Sequence, residues 1–201
     1  MNTKLIFSII LVLAAFSSTA GVRQAEARVW IDARPLVNWN KPGGVIPRGP
    51  KINRADARNM VKRCGEYLLA TSEPTLETRQ VKSVGWLGAA VMKRAGDTVF
   101  VSASNGDDGS CRPMGYQIFV FVAGKFVGTV SPEPMAARLD ASGSIENVAA
   151  RRFTAGFSRY REEDALCCPS GESVVTYDIK SADGGRLYVV PIKVVTKLNR
   201  K

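Results

Sequence analysis

The spacing of apolar residues changes along this chain, and each change of period predicts a different element. Leu5 to Phe16 is an apolar run broken only by Ser8, preceded by Lys4 and followed by the small residues Ser17, Ser18, Thr19 and Ala20. A positive start, a short apolar stretch and a small-residue end are the parts of a secretory signal. The run falls short of the ~18–20 apolar residues that a membrane-crossing helix needs, and no other stretch qualifies. Cleavage fits after Ala20 or after Ala27, so residues 1–20 or 1–27 read as the signal, with no transmembrane segment once it is removed.

Residues 28–52 show no period and carry Pro35, Pro42, Pro47 and Pro50 with a Gly43-Gly44 pair. Proline withholds backbone donors, so this composition predicts an extended arm. Trp30 and Trp39 are expected to pack the arm onto the domain, the alternative being an exposed indole used for binding. Asn53 suits the cap of a helix starting at Arg54, because its side chain can accept from the first free amides. Met60, Val61, Cys64 and Leu68 then give one apolar face, with the helix stopping near Gly65 or shortly beyond. A second short helix after Pro74 is only faintly patterned.

From Val84 the period becomes two, and strands follow at Val84–Met92, Thr98–Ser104, Tyr116–Val122, Phe126–Val130, Phe153–Phe157, Val174–Ile179 and Leu187–Val195. Val99, Val101 and Ala103 share one face. Tyr116–Val122 is apolar on both faces, as a covered central strand should be. Gly124-Lys125 suits a type II′ turn between Tyr116–Val122 and Phe126–Val130. Pro191 places the last strand at an edge, where its missing amide proton does no harm. The predicted fold is α+β: an antiparallel β-sheet of about six to seven strands with one or two N-terminal helices packed on one side. Residues 53–196 form the single domain, and residues 197–201 a basic tail.

Composition adds little to the fold, since 45% hydrophobic and 23% charged residues are ordinary for a globular chain of 201 residues. Charge says more about partners. Removing residues 1–20 leaves 27 basic against 18 acidic residues, and removing residues 1–27 leaves 26 against 17, so either product carries +9. Such a protein is drawn to anionic surfaces. The expected partner is an envelope component: a protein, an anionic polymer or a lipid surface. Export separates the chain from most nucleic acid, which is therefore not an expected partner.

Cys64, Cys111, Cys167 and Cys168 make an even set, which in an exported chain favours two disulfides. Sequence leaves the pairing open. A Cys167–Cys168 bridge is disfavoured, because neighbouring α-carbons are only ~3.8 Å apart, below the usual span. The expectation is that Cys64 and Cys111 each join one member of the pair. Cys167-Cys168-Pro169 also reads as a candidate redox or nucleophilic thiol pair, given a cation such as Arg159 or Arg161 to stabilise a thiolate.

There is no histidine, which removes the side chain best suited to proton transfer near neutral pH. Asp97, Asp107, Asp108, Glu162, Glu163 and Asp164 could serve a carboxylate mechanism, but solvated loop charge explains them more simply. Asn105-Gly106-Asp107-Asp108-Gly109 lacks the alternating ligands and closing glutamate of a calcium loop. No catalytic residue, metal ligand or cofactor is predicted.

Two segments carry a resemblance. Cys111-Arg112-Pro113-Met114-Gly115-Tyr116-Gln117-Ile118-Phe119-Val120-Phe121-Val122-Ala123-Gly124-Lys125-Phe126-Val127-Gly128-Thr129-Val130-Ser131-Pro132 is one; Arg159-Tyr160, Asp164 and Leu166-Cys167-Cys168-Pro169-Ser170 make the other. Together they resemble the LppP/LprE lipoprotein family, over a span from about Trp39 to the end of the chain. The resemblance implies an exported envelope protein and brings no established reaction. No cysteine precedes Cys64, so the lipid-accepting cysteine of the lipoprotein members is missing. The Asp-Gly expected of the family's hairpin is Ala123-Gly124 here.

Arg159, Tyr160 and Asp164 are the candidate loop-anchoring or binding residues, with Arg159 expected to pair with Asp164. The reading that results is a non-catalytic envelope module that binds a partner. The alternative is a carrier of a small apolar or lipid-like ligand, held between sheet and helix beside the apolar Tyr116–Val130 hairpin.

Overall fold

The computed structural model describes residues 30–68, 74–107, 111, 113–135, 142–161, 163–165 and 167–199. The expected signal lies outside them. Eight strands form two four-stranded antiparallel sheets, each in the order of the chain. The first contains β1 (Ala90–Ala95), β2 (Thr98–Asp107), β3 (Pro113–Val122) and β4 (Lys125–Thr129); the second contains β5 (Ser142–Ala149), β6 (Arg152–Arg159), β7 (Gly171–Ser181) and β8 (Leu187–Leu198). Two helices, α1 (Arg54–Leu68) and α2 (Leu76–Ser83), precede them.

One sheet of six to seven strands is therefore corrected to two sheets of four. The strand that escaped notice is β5, whose SGSIENVA sequence buries only Ile145 among its described side chains. The single sheet fails for a physical reason as well. Alternation on β3 sends Tyr116, Ile118, Val120 and Val122 to one face and Phe119 and Phe121 to the other, and all are buried. Val81 of α2 and Trp86 cover the Phe119 and Phe121 face, and the second sheet covers the other.

The inter-sheet core joins Phe100, Ile118, Val120 and Val122 to Phe153, Phe157, Val175, Tyr177 and Ile179. Phe100 meets Phe153 edge-on at 4.9 Å between ring centres, and Phe153 stacks on Tyr177 at 4.9 Å. Lys93 on β1 donates to the Ile145 carbonyl on β5 at 2.8 Å, linking the two sheets at one edge. The outer face of the first sheet buries Val99, Val101, Phe119 and Phe121 beneath Val81 of α2 and Trp86. Val84–Ala89 is not a strand despite its alternation; it connects α2 to β1. There Trp86 packs on Phe119 and donates its indole N–H to the Pro47 carbonyl at 2.9 Å.

Thr75 caps α2 by accepting from the Thr78 amide at 3.2 Å, the signal that the faint apolar pattern hid. Glu77 ties α2 to β1 through Arg94 at 3.7 Å, and Gln80 ties it to the β3–β4 turn through the Gly124 carbonyl at 3.0 Å. That turn is centred on Ala123 and Gly124 rather than on Gly124-Lys125. Both have positive φ, 48° and 72°, as a type I′ turn requires. Pro191 does lie on an edge strand, β8.

The arm crosses from one sheet to the other. Ile31 is buried in the inter-sheet core, while Trp30 meets Trp39 and Phe157 edge-on at 4.9 and 5.4 Å. Trp39 donates its indole N–H to Thr129 Oγ1 at 3.0 Å. Asn40 accepts from the Thr129 amide and donates to the Thr129 carbonyl, both at 2.9 Å. Gly128 makes this approach possible, since a Cβ there would lie 2.6 Å from the Asn40 side-chain carbon.

Candidate functional site

The residues singled out from sequence gather on the loop between β6 and β7 and at its base. Arg159 ends β6, and Gly171 begins β7 directly opposite it in register. Between them Asp164 is buried and accepts from the Arg161 amide and the Ser170 amide, each at 2.8 Å, and from Ser170 Oγ at 2.6 Å. One carboxylate thus closes the loop on itself, a charge-assisted arrangement stronger than neutral bonds. Asn199, beyond β8, clamps the same loop from outside. Its amide N–H donates to the Ser170 carbonyl and its Nδ2 to the Pro169 carbonyl, both at 2.8 Å.

Arg159 pairs with Asp32 of the arm rather than with Asp164. The partner stands 127 residues upstream, so no local spacing could announce it. Arg159 Nη1 is buried without a hydrogen-bond acceptor among the described residues. Tyr160 is half-buried at the loop's start. The guanidinium therefore latches the arm, and Asp164 alone of the expected pair organises the loop.

The cysteines also pair differently from the expectation. Cys64 is bonded to Cys111, with α-carbons 5.3 Å apart, and Cys111 packs against Met60 and Cys64 on the buried face of α1. Cys167 is bonded to Cys168, with α-carbons 3.8 Å apart. The expectation from span is corrected by this bond, and the pair sits at a turn in which the Cys168 amide donates to the Ala165 carbonyl at 2.9 Å. Both Cys167 and Cys168 are exposed, whereas Cys64 is fully buried.

Other candidates stay dispersed. Asp97 is exposed at the β1–β2 turn and Glu163 is exposed on the loop; Asp108 and Glu162 lie outside the described residues. Among the described residues no three Cys, Asp or Glu side chains gather where they could hold a metal ion. No helix among them is long and apolar enough to cross a membrane. The apolar hairpin that motivated a ligand carrier has its side chains in the two cores: Ile118, Val120 and Val122 in one, Phe119 and Phe121 in the other.

Sequence reasoning missed Gln117. It is buried on β3, donating to the Ser131 and Glu133 carbonyls at 3.0 and 3.3 Å and accepting from Ser131 Oγ at 2.9 Å. A lone polar residue in the apolar QIFVFV run was the available signal, because a buried amide must find partners.

The fold and loop define a strapped double-sheet domain whose notable polar groups hold structure. Residues 93–182, from β1 to the turn after β7, match the LppP/LprE lipoprotein family. The match is narrower than the span expected from Trp39 onward, and it includes both the β3–β4 hairpin and the cysteine loop. No curated protein and no solved structure matches the chain.

Proposed function

We propose that this chain is an exported envelope protein that works by non-catalytic binding, presenting its helical layer to an anionic envelope component. The observation that carries this reading is the charge on that layer. Arg58 and Lys62 lie one turn apart on α1, Arg79 and Lys82 lie one turn apart on α2, and all four are exposed. Lys51 before α1 and Lys125 at the β3–β4 turn are exposed as well. Met60, Cys64 and Val81 turn inward from the same helices, so the cations are left facing outward. The match to an envelope lipoprotein family supports the address, and the net positive charge of the chain supports the sign of the partner.

Attraction of this kind is screened over a Debye length of ~10 Å at 0.1 M salt, so binding should fade as salt rises. The test is co-sedimentation of residues 28–201 with anionic vesicles, with zwitterionic vesicles and with an anionic polysaccharide. Retention by an anionic partner at low salt, its loss at high salt, and weakening by the fourfold change Arg58→Glu, Lys62→Glu, Arg79→Glu and Lys82→Glu are expected. Equal retention by zwitterionic vesicles, or no effect of the charge reversal, counts against the reading.

A further inference from the structure

The two disulfides differ in ways that assign them different work. Cys64–Cys111 joins elements 47 residues apart and is shielded by Met60 and Leu87. A cross-link of that reach restrains the unfolded chain strongly. Cys167–Cys168 joins neighbours, closing a ring too small to restrain much of anything. Nor does the loop need it. Asp164 holds the loop's two ends through three hydrogen bonds, and Asn199 adds two more from the far side. None of those bonds involves sulfur. Both sulfur-bearing residues are exposed, as are Arg161, Glu163 and Ala165 around them.

We propose that Cys167–Cys168 is a thiol–disulfide exchange site, addressed by an envelope dithiol protein of the Cys-X-X-Cys type, while Cys64–Cys111 is a permanent cross-link. In the exchange a partner thiolate attacks Sγ of Cys167 or Cys168. The bond between the two sulfurs breaks, a mixed disulfide forms, and the displaced thiolate takes up a proton. The partner's second thiolate then attacks its own sulfur in the mixed disulfide. The partner leaves as a disulfide, and the second cysteine leaves as a thiolate that is protonated in turn. Two electrons pass from the partner dithiol to this chain, and the reverse sequence restores Cys167–Cys168. Because the frame of the loop is independent of sulfur, both forms keep the same fold. Access also follows from geometry: an attacking thiolate reaches an exposed pair at a bend without any opening of the domain.

The test uses oxidised protein comprising residues 28–201 and a thioredoxin-like dithiol protein whose resolving cysteine is replaced by serine, so that mixed disulfides persist. Non-reducing electrophoresis and peptide mass spectrometry are expected to find an adduct through Cys167 or Cys168, forming at least ~10-fold faster than any through Cys64 or Cys111. The double variant Cys167→Ser/Cys168→Ser should form no adduct and melt within ~2 °C of the parent, since no staple is lost. A second measurement, selective reduction and alkylation of the parent chain followed by circular dichroism, should leave the spectrum unchanged. The proposal is overturned by adducts at Cys64 or Cys111 at comparable rates, by no adduct at all, or by free thiols at Cys167 and Cys168 in the isolated oxidised protein. Unfolding of the double variant or of the alkylated chain overturns it equally.

Discussion

Tyr177 sits at the centre of the inter-sheet core, fully buried, with its hydroxyl donating to the Val130 carbonyl at 2.5 Å. Tyr177→Phe keeps the ring stacked on Phe153 and removes only that donor. The expected loss is ~1–2 kcal/mol, read from urea unfolding at neutral pH. Burial also holds the phenol's pKa well above its ordinary value. The folded state therefore keeps a proton that the unfolded chain releases near pH ~10, so this contribution is full below that pH and is lost as pH rises beyond it. The phenylalanine variant should show a shallower alkaline decline. At the β3–β4 turn the chemistry runs the other way. Ala123 holds a φ of 48°, where its Cβ crowds the following carbonyl. Ala123→Asn is expected to raise stability by ~1 kcal/mol, measured as a higher urea midpoint at an unchanged slope. The Asp-Gly expected from the family resemblance would relieve the same crowding.

At the scale of elements, α1 buries Met60 and Cys64 among its described side chains, in a small cluster of their own apart from the two larger cores. Its attachment to the first sheet therefore leans on the bond to Cys111. Cys64→Ser/Cys111→Ser is expected to cost ~2–4 kcal/mol, and hydrogen exchange should show α1 opening ahead of the sheets. The elements also explain what could be read beforehand. β7 was legible because Val175, Tyr177 and Ile179 alternate cleanly with polar positions. β5 was not, because it lies at the rim and buries little. The cysteine pairing was illegible for another reason: Cys64 and Cys111 stand 47 residues apart and meet only in the folded chain, which no spacing encodes. Arg159 and Asp164 stand close together in the sequence, but Arg159 finds its partner in the arm, where the three-dimensional path of the chain decides.

Across the molecule, two carboxylates set the acid limit among the shifted groups. Arg152, hydrogen-bonded to Asp178 at 2.7 Å, lowers the Asp178 pKa against the opposing effect of burial. Burial alone would raise Glu77, but its own amide, the Thr75 hydroxyl and the charges of Arg94 and Arg79 together bring it down. Both groups bind protons less tightly when folded. Their stabilisation is full above the ordinary carboxylate range of about 4 and disappears as pH falls through the lowered values. Melting temperature should be flat from neutral pH to about pH 5 and decline below about pH 4. The charge reversal in the helical layer includes Arg79→Glu, which replaces one of the charges that lower Glu77 with a carboxylate, so the fourfold variant should begin its acid decline at a higher pH than the parent.

The seating of Asn40 on Thr129 has one more consequence. By accepting from one amide and donating to one carbonyl at the end of β4, the arm occupies bonding groups that a foreign strand would otherwise use to lengthen the sheet. A neighbouring copy would have to displace Asn40 before it could pair at Thr129, so the arm stands as a guard at that point of the sheet's open edge.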